Sequence, residues 1–287
     1  AIKLLDRAYS YGVRFFDLSN LYGAGRAEVI FGEWLAGLSK IKRTTISFVS
    51  KAGLLPHSGF EMPTDFSIDS LRIEIQRSCK RLGVEKIPIF LLHSPSKDQL
   101  LELDLRSISE KFKSEGLVEE FGVSIRAPGD LSNVALEYVD WAELNINLMD
   151  MRLNLNKNLT KSLSDENVKI IARTPLAFGF LTECGVSDNI IFDNRSHLRN
   201  WSSEQIRVWR NGALEFKEFG KRYDLTVEQL ALSFCYSLPG INKIIPGAMS
   251  LAHLETNYSK LVKLSAAQLS ELAKIYNSND FYVQQKT

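Results

Sequence analysis

The sequence predicts an α/β chain of parallel strands covered by helices, a (β/α)8 TIM barrel whose first strand precedes Ala1. Three observations point there. Short, nearly continuous apolar runs alternate with amphipathic helical stretches along the whole chain, the pattern of a buried parallel sheet. Seven such runs are present, and the chain opens on a helical stretch rather than an eighth run. The length of 287 residues suits a barrel of about 250 residues folding as one domain, so residues 1–287 are read as a single unit.

In order, the opening helix is expected over Ile2–Tyr11 and the first strand over Val13–Leu18. Strands follow at Thr45–Ser50, Ile87–Leu92, Val118–Ser124, Trp141–Asn147, Val168–Ala172 and Ile241–Pro246, each dominated by β-branched and large apolar side chains. Between them, helical spacing of apolar residues marks Glu28–Leu38, Ile68–Leu82, Gln99–Ser114, Asp130–Tyr138, Ser202–Tyr223 and Thr226–Ser237. Asp69 and Thr226 are expected N-caps, because a short side-chain oxygen there accepts from orphan amides of the first turn. Gly83 and Gly116 are expected helix stops, where a left-handed residue closes the last turn. An open sheet would leave two unpaired edges, so the expectation is a closed barrel completed by a strand N-terminal to Ala1.

Composition narrows the function. Apolar residues make up 45% of the chain, enough for a large core, and a formal charge of +1 without basic runs disfavours nucleic acid or membrane surfaces as partners. Cys79, Cys184 and Cys235 are odd in number and far apart, which suits buried thiols in a cytoplasmic, reducing compartment and neither a disulfide framework nor a metal site. No apolar run reaches the ~18 residues that a membrane span needs. The oligomeric state is left open by these features.

The strand ends carry the chemistry. Asp17, Lys51, His93, Ser124 and Arg173 each stand at or just after the C-terminal end of an apolar run. Polar groups there cost desolvation unless paired or functional, and in a parallel barrel that rim holds the catalytic groups. Any one of them would also suit a capping or core role: His93 a core histidine, Tyr22 a turn residue before Gly23. Five on five strands point to one site.

The segment Gly12-Val-Arg-Phe-Phe-Asp17-Leu-Ser-Asn-Leu-Tyr22-Gly-Ala-Gly-Arg-Ala-Glu28 resembles the aldo-keto reductase signature, an Asp followed five residues later by Tyr-Gly and then by a Glu. The similarity continues in order through Val49-Ser-Lys51, Leu91-Leu-His93-Ser-Pro95, Gly122-Val-Ser124, Asn147-Leu-Met-Asp150, Thr174–Thr182 and Ile245-Pro-Gly-Ala-Met-Ser250. It implies reversible reduction of an aldehyde or ketone with a nicotinamide cofactor, NADP(H) before NAD(H), on a small carbonyl or alcohol substrate. The family's Asp, Tyr, Lys and His tetrad falls on Asp17, Tyr22, Lys51 and His93. A carbonyl receiving hydride develops oxyanion charge and needs a proton donor. Tyr22 would be that donor, Lys51 would lower its pKa, Asp17 would hold Lys51, and His93 would orient the carbonyl.

For the cofactor, the resemblance implies that Ser124 keeps a carboxamide contact, that Ile125 replaces the family's Asn, and that Glu143 stands at its Gln position, still able to accept from the amide. Arg173 replaces an aromatic ring that many members stack on the nicotinamide, and a planar guanidinium can stack as well. The loop Pro175–Thr182, with Leu176, Gly179 and Leu181, would wrap the pyrophosphate through backbone N–H groups. Gly247 and His253 fall where members that prefer NADPH often place Lys and Arg, while Ser250 and Asn257 suit ribose and adenine, and Ala248 and Met249 are expected to pack. A histidine is a weak cation at pH 7, so discrimination between the cofactors is expected to be modest. His57 and His197, with Phe60, Arg195 and Arg199, mark candidate substrate loops. Gly23-Ala-Gly25 is not a Rossmann fingerprint, because Glu28 takes the place of its last glycine. Two other readings remain: a nucleotide-binding regulatory subunit with little turnover, and a non-redox barrel lyase or isomerase that would need a metal cluster or a phosphate-binding glycine pair. The intact tetrad argues against the first. The lack of metal-ligand spacing, or of a glycine pair after the last strands, argues against the second.

Overall fold

The structure, a computed structural model, describes residues 1–57, 62–187 and 201–282. Its strands are β1 (Phe15–Asp17), β2 (Ser47–Ala52), β3 (Ile87–His93), β4 (Val118–Ile125), β5 (Trp141–Asn145), β6 (Lys169–Arg173) and β7 (Ile241–Ile245), hydrogen-bonded in chain order as one sheet. The pairings from β1 to β5 are parallel, with Asp17 opposite Val49, Lys51 opposite Leu91, His93 opposite Ser124 and Ser124 opposite Glu143. The chain divides into two compact units, Ala1–Leu144 with Asn158–Ile171, and Asn145–Lys157 with Ala172–Thr287.

In the first unit, the helices are α1 (Ile2–Ser10), α2 (Arg26–Gly37), α3 (Lys40–Arg43), α4 (Ile68–Leu82), α5 (Lys97–Glu102) and α6 (Leu105–Ser114). Helix α8 (Lys157–Asp165) joins this unit except for its first residue. Val49, Leu71, Ile75, Leu91, Phe112 and Val123 are wholly buried, so the apolar faces of α4 and α6 meet the sheet as their spacing predicts. Glu28 on α2 is also buried, and its carboxylate accepts from Ser50 Oγ at 2.5 Å and Arg81 Nε at 2.6 Å, tying α2, β2 and α4 together. Gly122 lets β5 approach β4: a Cβ there would lie 2.0 Å from the Trp141 carbonyl oxygen.

The second unit contains α7 (Arg152–Leu155), α9 (Ser203–Lys221), α10 (Val227–Ser237), α11 (Leu251–Ser259) and α12 (Ala266–Ser278). Helix α9 packs on α10 and α12. The carbonyl of Phe281 accepts from Gln205 Nε2 at 2.8 Å and Trp209 Nε1 at 2.9 Å, which fastens the following chain to α9.

Several expectations change. The helix expected over Asp130–Tyr138 is two 3-10 turns, Pro128–Leu131 and Leu136–Tyr138, because Asn133 between them takes a left-handed φ of 73° that interrupts any helix. Ser67, not Asp69, caps α4, accepting from the Ser70 amide, while Asp69 sits in the first turn against Arg72. The stretch Gln99–Ser114 is two helices broken at Leu103–Asp104. Thr226 and Gln229 form the expected cap of α10 as a reciprocal box. Gly83 and Gly116 adopt the left-handed φ of helix stops, 67° and 70°. Among the described residues no helix is long and apolar enough to cross a membrane.

Candidate active site

Five consecutive strands, β1 to β5, deliver Asp17, Lys51, His93, Ser124 and Glu143 at or near their C-terminal ends, all within the first unit. Lys51 is the centre. Its ammonium is 0% exposed, donates to Asp17 Oδ1, lies 3.1 Å from the Leu18 carbonyl oxygen, 3.3 Å from the Tyr22 hydroxyl and 3.3 Å from Glu143 Oε2. The turn after β1 brings Tyr22 over this lysine, with Nζ 5.1 Å from the ring centre. The Tyr22 hydroxyl also lies 3.3 Å from Asp17 Oδ2, and its side chain is 39% exposed, so the phenol bridges buried charge and solvent. His93 meets the Tyr22 ring edge-on, the centroids 6.2 Å apart at 89°.

Burial pushes the Asp17 carboxyl up to about 7, and the neighbouring Glu143 carboxylate adds to the rise while Lys51 opposes it. Burial works against the Lys51 charge as well, but Asp17, Glu143 and Tyr22 together outweigh it and hold its pKa above the ordinary lysine range. Lys51 is therefore a fixed cation.

Two features of the site were missed in the sequence. Ser19 is wholly buried, and its hydroxyl lies 3.2 Å from His93 Nδ1. Its position two residues beyond Asp17, on the same face of an extended chain, is a signal for it. Glu143 accepts from Ser124 Oγ at 2.9 Å and faces Lys51, so the two residues expected to hold a carboxamide are bonded to each other and joined to the lysine cluster.

The remaining cofactor candidates belong to the second unit. Arg173 ends β6, half-buried, and the loop after it buries Pro175 and Leu181. Four amides of that loop, those of Ala177, Gly179, Phe180 and Leu181, donate to carbonyls of the loop itself, where the sequence reading had them facing a pyrophosphate. Gly179, with φ 96°, and Gly247, with φ 69°, have nothing within 4 Å of where a Cβ would stand, which fits a ligand passing close to the main chain. Ser250 caps α11 by accepting from the His253 amide at 3.1 Å, His253 Nδ1 accepts from the Met249 amide at 3.4 Å, and Asn257 donates to the Gly247 carbonyl at 2.8 Å. All four candidates thus sit in one bonded turn. Met249 does not pack as expected: it is 91% exposed, because the turn it sits on projects it outward. His57 lies in an exposed loop with Nδ1 3.0 Å from the Leu55 carbonyl oxygen, and Phe60, Arg195, His197 and Arg199 lie outside the described residues.

Comparison with known proteins supplies the family. An oxidoreductase of Bacillus subtilis, YqkF, is 25% identical over 260 residues, covering 90% of this chain and 80% of that protein. Among solved structures, the aldo-keto reductase AKR11C1 from Bacillus halodurans in its holo form is similar at 18% identity with a TM-score of 0.76, covering 100% of this chain and 90% of that one. An aldo/keto reductase from Klebsiella pneumoniae, in complex with NADP and acetate, is similar at 21% identity with a TM-score of 0.65, over 96% of this chain and 84% of that one. The likeness shows the fold, a (β/α)8 barrel of which seven strands lie among the described residues. The sequence model of the aldo/keto reductase family matches residues 1–277, and by that match the chain belongs to the aldo/keto reductase family and is an NAD(P)-dependent oxidoreductase.

Proposed function

We propose that the protein reversibly reduces an aldehyde or ketone to an alcohol, with Tyr22 as the proton donor and Lys51, Asp17 and His93 in support. The observation that carries this reading is the half-exposed Tyr22, whose hydroxyl is 3.3 Å from both the Lys51 ammonium and the Asp17 carboxylate. When bound, the nicotinamide dinucleotide supplies the hydride and accepts it in reverse. Tyr22 gives its proton to the carbonyl oxygen as negative charge builds there. Lys51 then faces a phenol oxygen becoming anionic, and an ammonium at that distance stabilises it. Asp17 keeps Lys51 in position, and His93 orients the carbonyl beside the Tyr22 ring.

Within the first unit, Ser124 and Glu143 are the cofactor contacts of this reading. NADP(H) is favoured over NAD(H), in keeping with the NADP bound by the Klebsiella pneumoniae protein. Three free cysteines suit a cytoplasmic setting, and one barrel domain over 1–287 suits the family match. The test is to titrate NADPH and NADH against protein fluorescence and then supply a panel of aldehydes. Turnover supports the reductase reading. Tight nucleotide binding with no turnover on any aldehyde or ketone favours a nucleotide-binding subunit instead.

A further inference from the structure

Tyr22 hangs from a turn whose shape is not locally favoured. Gly23, Ala24 and Gly25 follow it with φ of 60°, 55° and 85°, and a left-handed alanine persists where its surroundings hold it. The contacts of the Tyr22 hydroxyl with Lys51 and Asp17, both 3.3 Å, are long for hydrogen bonds, so the main chain that carries the phenol largely sets its place. Helix α4 grips that chain on both sides of Tyr22, within the first unit. Glu74, Ser78 and Arg81 share one face of α4 by their helical spacing. Beyond the turn, Arg81 Nε donates to Glu28 Oε2 at 2.6 Å, and its Nη2 donates to Ser78 Oγ at 3.0 Å. Before the turn, Asn20 Nδ2 donates to Glu74 Oε2 at 3.0 Å, and Arg77 Nη1 donates to Glu74 Oε1 at 2.6 Å. Burial works against the Glu74 charge, but the bonds from Asn20 and Arg77 outweigh it and hold the carboxyl below its ordinary range.

We propose that Glu74 is a positioning residue that, by holding the Asn20 amide, fixes the turn presenting Tyr22 to a carbonyl substrate. Its effect on turnover rests on the reductase reading, whereas the tie between Glu74 and the Tyr22 turn does not. A carboxylate accepts and cannot donate, so it decides which end of the Asn20 amide faces α4. Asn20 Oδ1 is then left 3.3 Å from the Ser19 hydroxyl, which stands against His93. One carboxylate on a neighbouring helix thereby governs the stretch of chain that serves both Tyr22 and His93. Displacing a reacting group by about 1 Å can cost ~100-fold in rate, so a tie that touches no substrate still bears on turnover.

The test compares Glu74→Ala, which removes the acceptor, with Glu74→Gln, which keeps an acceptor oxygen and removes the charge. The Glu74 side chain is 23% exposed, so neither variant opens a core cavity. The NMR signal of the Tyr22 Cζ carbon is followed in the unliganded protein, assigned by its loss in Tyr22→Phe, alongside kcat and the cofactor Kd. Glu74→Ala should move or broaden that signal and lower kcat by about tenfold or more with the cofactor Kd nearly constant, and Glu74→Gln should restore both. Asn20→Asp sets two carboxylates against each other and should behave as Glu74→Ala does. Adding Glu74→Gln to it rebuilds the hydrogen bond with donor and acceptor exchanged, and should rescue the signal. An unmoved Tyr22 signal in Glu74→Ala, the same change in Glu74→Ala and Glu74→Gln, or no rescue by the exchanged pair overturns the proposal without any measurement of turnover. A moved signal with unchanged kcat in an active enzyme overturns it as well. A signal that behaves as expected in a protein that turns over no carbonyl substrate leaves the tie standing and removes the reductase reading.

Discussion

Ser19 Oγ lies 3.2 Å from His93 Nδ1, both side chains buried, so a hydroxyl two residues beyond Asp17 addresses the inner nitrogen of the imidazole. The Ser19 hydroxyl also accepts from the Leu21 amide at 3.2 Å, and Asn20 Oδ1 at 3.3 Å is a second acceptor for its one proton. When it donates to Nδ1, the imidazole proton stays on Nε2, the tautomer able to donate to a carbonyl oxygen.

Ser19→Ala should therefore leave the fold intact and loosen His93. One neutral hydrogen bond contributes about 0.5–1.5 kcal/mol, so kcat for carbonyl reduction should fall by roughly two- to tenfold. Nitrogen NMR of the ring should report Nε2–H in wild type and a tautomer mixture in the variant. An unchanged ring spectrum and unchanged kcat would show that Ser19 does not orient His93.

Tyr22→Phe should abolish most carbonyl reduction while cofactor affinity stays nearly constant, since only the phenol oxygen is removed. Loss of a positioned general acid corresponds to a fall of about 10²–10⁴-fold in kcat. The Kd for each cofactor and kcat with an aldehyde check this. Near wild-type turnover would remove Tyr22 as the donor.

Lys51→Met should weaken both rate and stability. It strips the cation from Asp17 and Glu143 at once, and breaking a buried ion pair from one side costs about 3–5 kcal/mol. Denaturant unfolding at pH 7 measures the loss. Protonation of the two orphaned carboxyls would recover part of it, so the deficit should shrink toward pH 5. A variant as stable as wild type at pH 7 would mean that the ammonium does not hold the carboxylates.

Stability of the wild-type protein should carry the mark of Asp17. Its folded pKa is raised, so its contribution is fully present below its unfolded value near ~4 and is lost as pH climbs through about 7. Lys51 has a raised folded pKa as well, and its contribution persists until strongly alkaline pH. The site should therefore make the protein less stable at pH 8 than at pH 5.5, and Asp17→Asn should flatten that slope. Equal pH slopes for variant and wild type would count against the raised carboxyl.

The strands and the polar residues that end them were legible because each is a local signal: apolar runs fix the strands, and a polar residue ending such a run is conspicuous. Asp17, Lys51 and His93 announced themselves that way. Ser19 gave only a faint signal, its spacing two residues beyond Asp17, which carries little weight until the opposing imidazole is known. Glu143 was read as a cofactor contact because its pairing with Lys51, across three intervening strand junctions, depends on how the sheet curves and not on spacing along the chain. The helix lost at Asp130–Tyr138 and the helices α11 and α12 show the reverse: a left-handed Asn133 is invisible to periodicity, whereas the box of Ser265 with Gln268 that starts α12 was present in the sequence and went unread.

The turn from Gly247 to Asn257 gives the last prediction. Ser250, His253 and Asn257 are each bonded to the main chain of that turn, so they hold its shape whether or not they touch a ligand. His253 is the residue nearest in role to a cation that would grip a 2′-phosphate, and arginine there would add a fixed charge with a planar set of donors. His253→Arg should then tighten NADPH, by about tenfold for a charge-assisted contact of roughly 1.5 kcal/mol, and scarcely affect NADH, which lacks the phosphate. The substitution also removes the acceptor for the Met249 amide, and any loosening of the turn from that loss would weaken both cofactors alike. Measuring both dissociation constants on both proteins separates the two effects. Selective tightening of NADPH supports the turn as the phosphate site, equal weakening assigns His253 to the turn alone, and a wild-type preference for NADPH of a thousandfold would place the phosphate on another basic group.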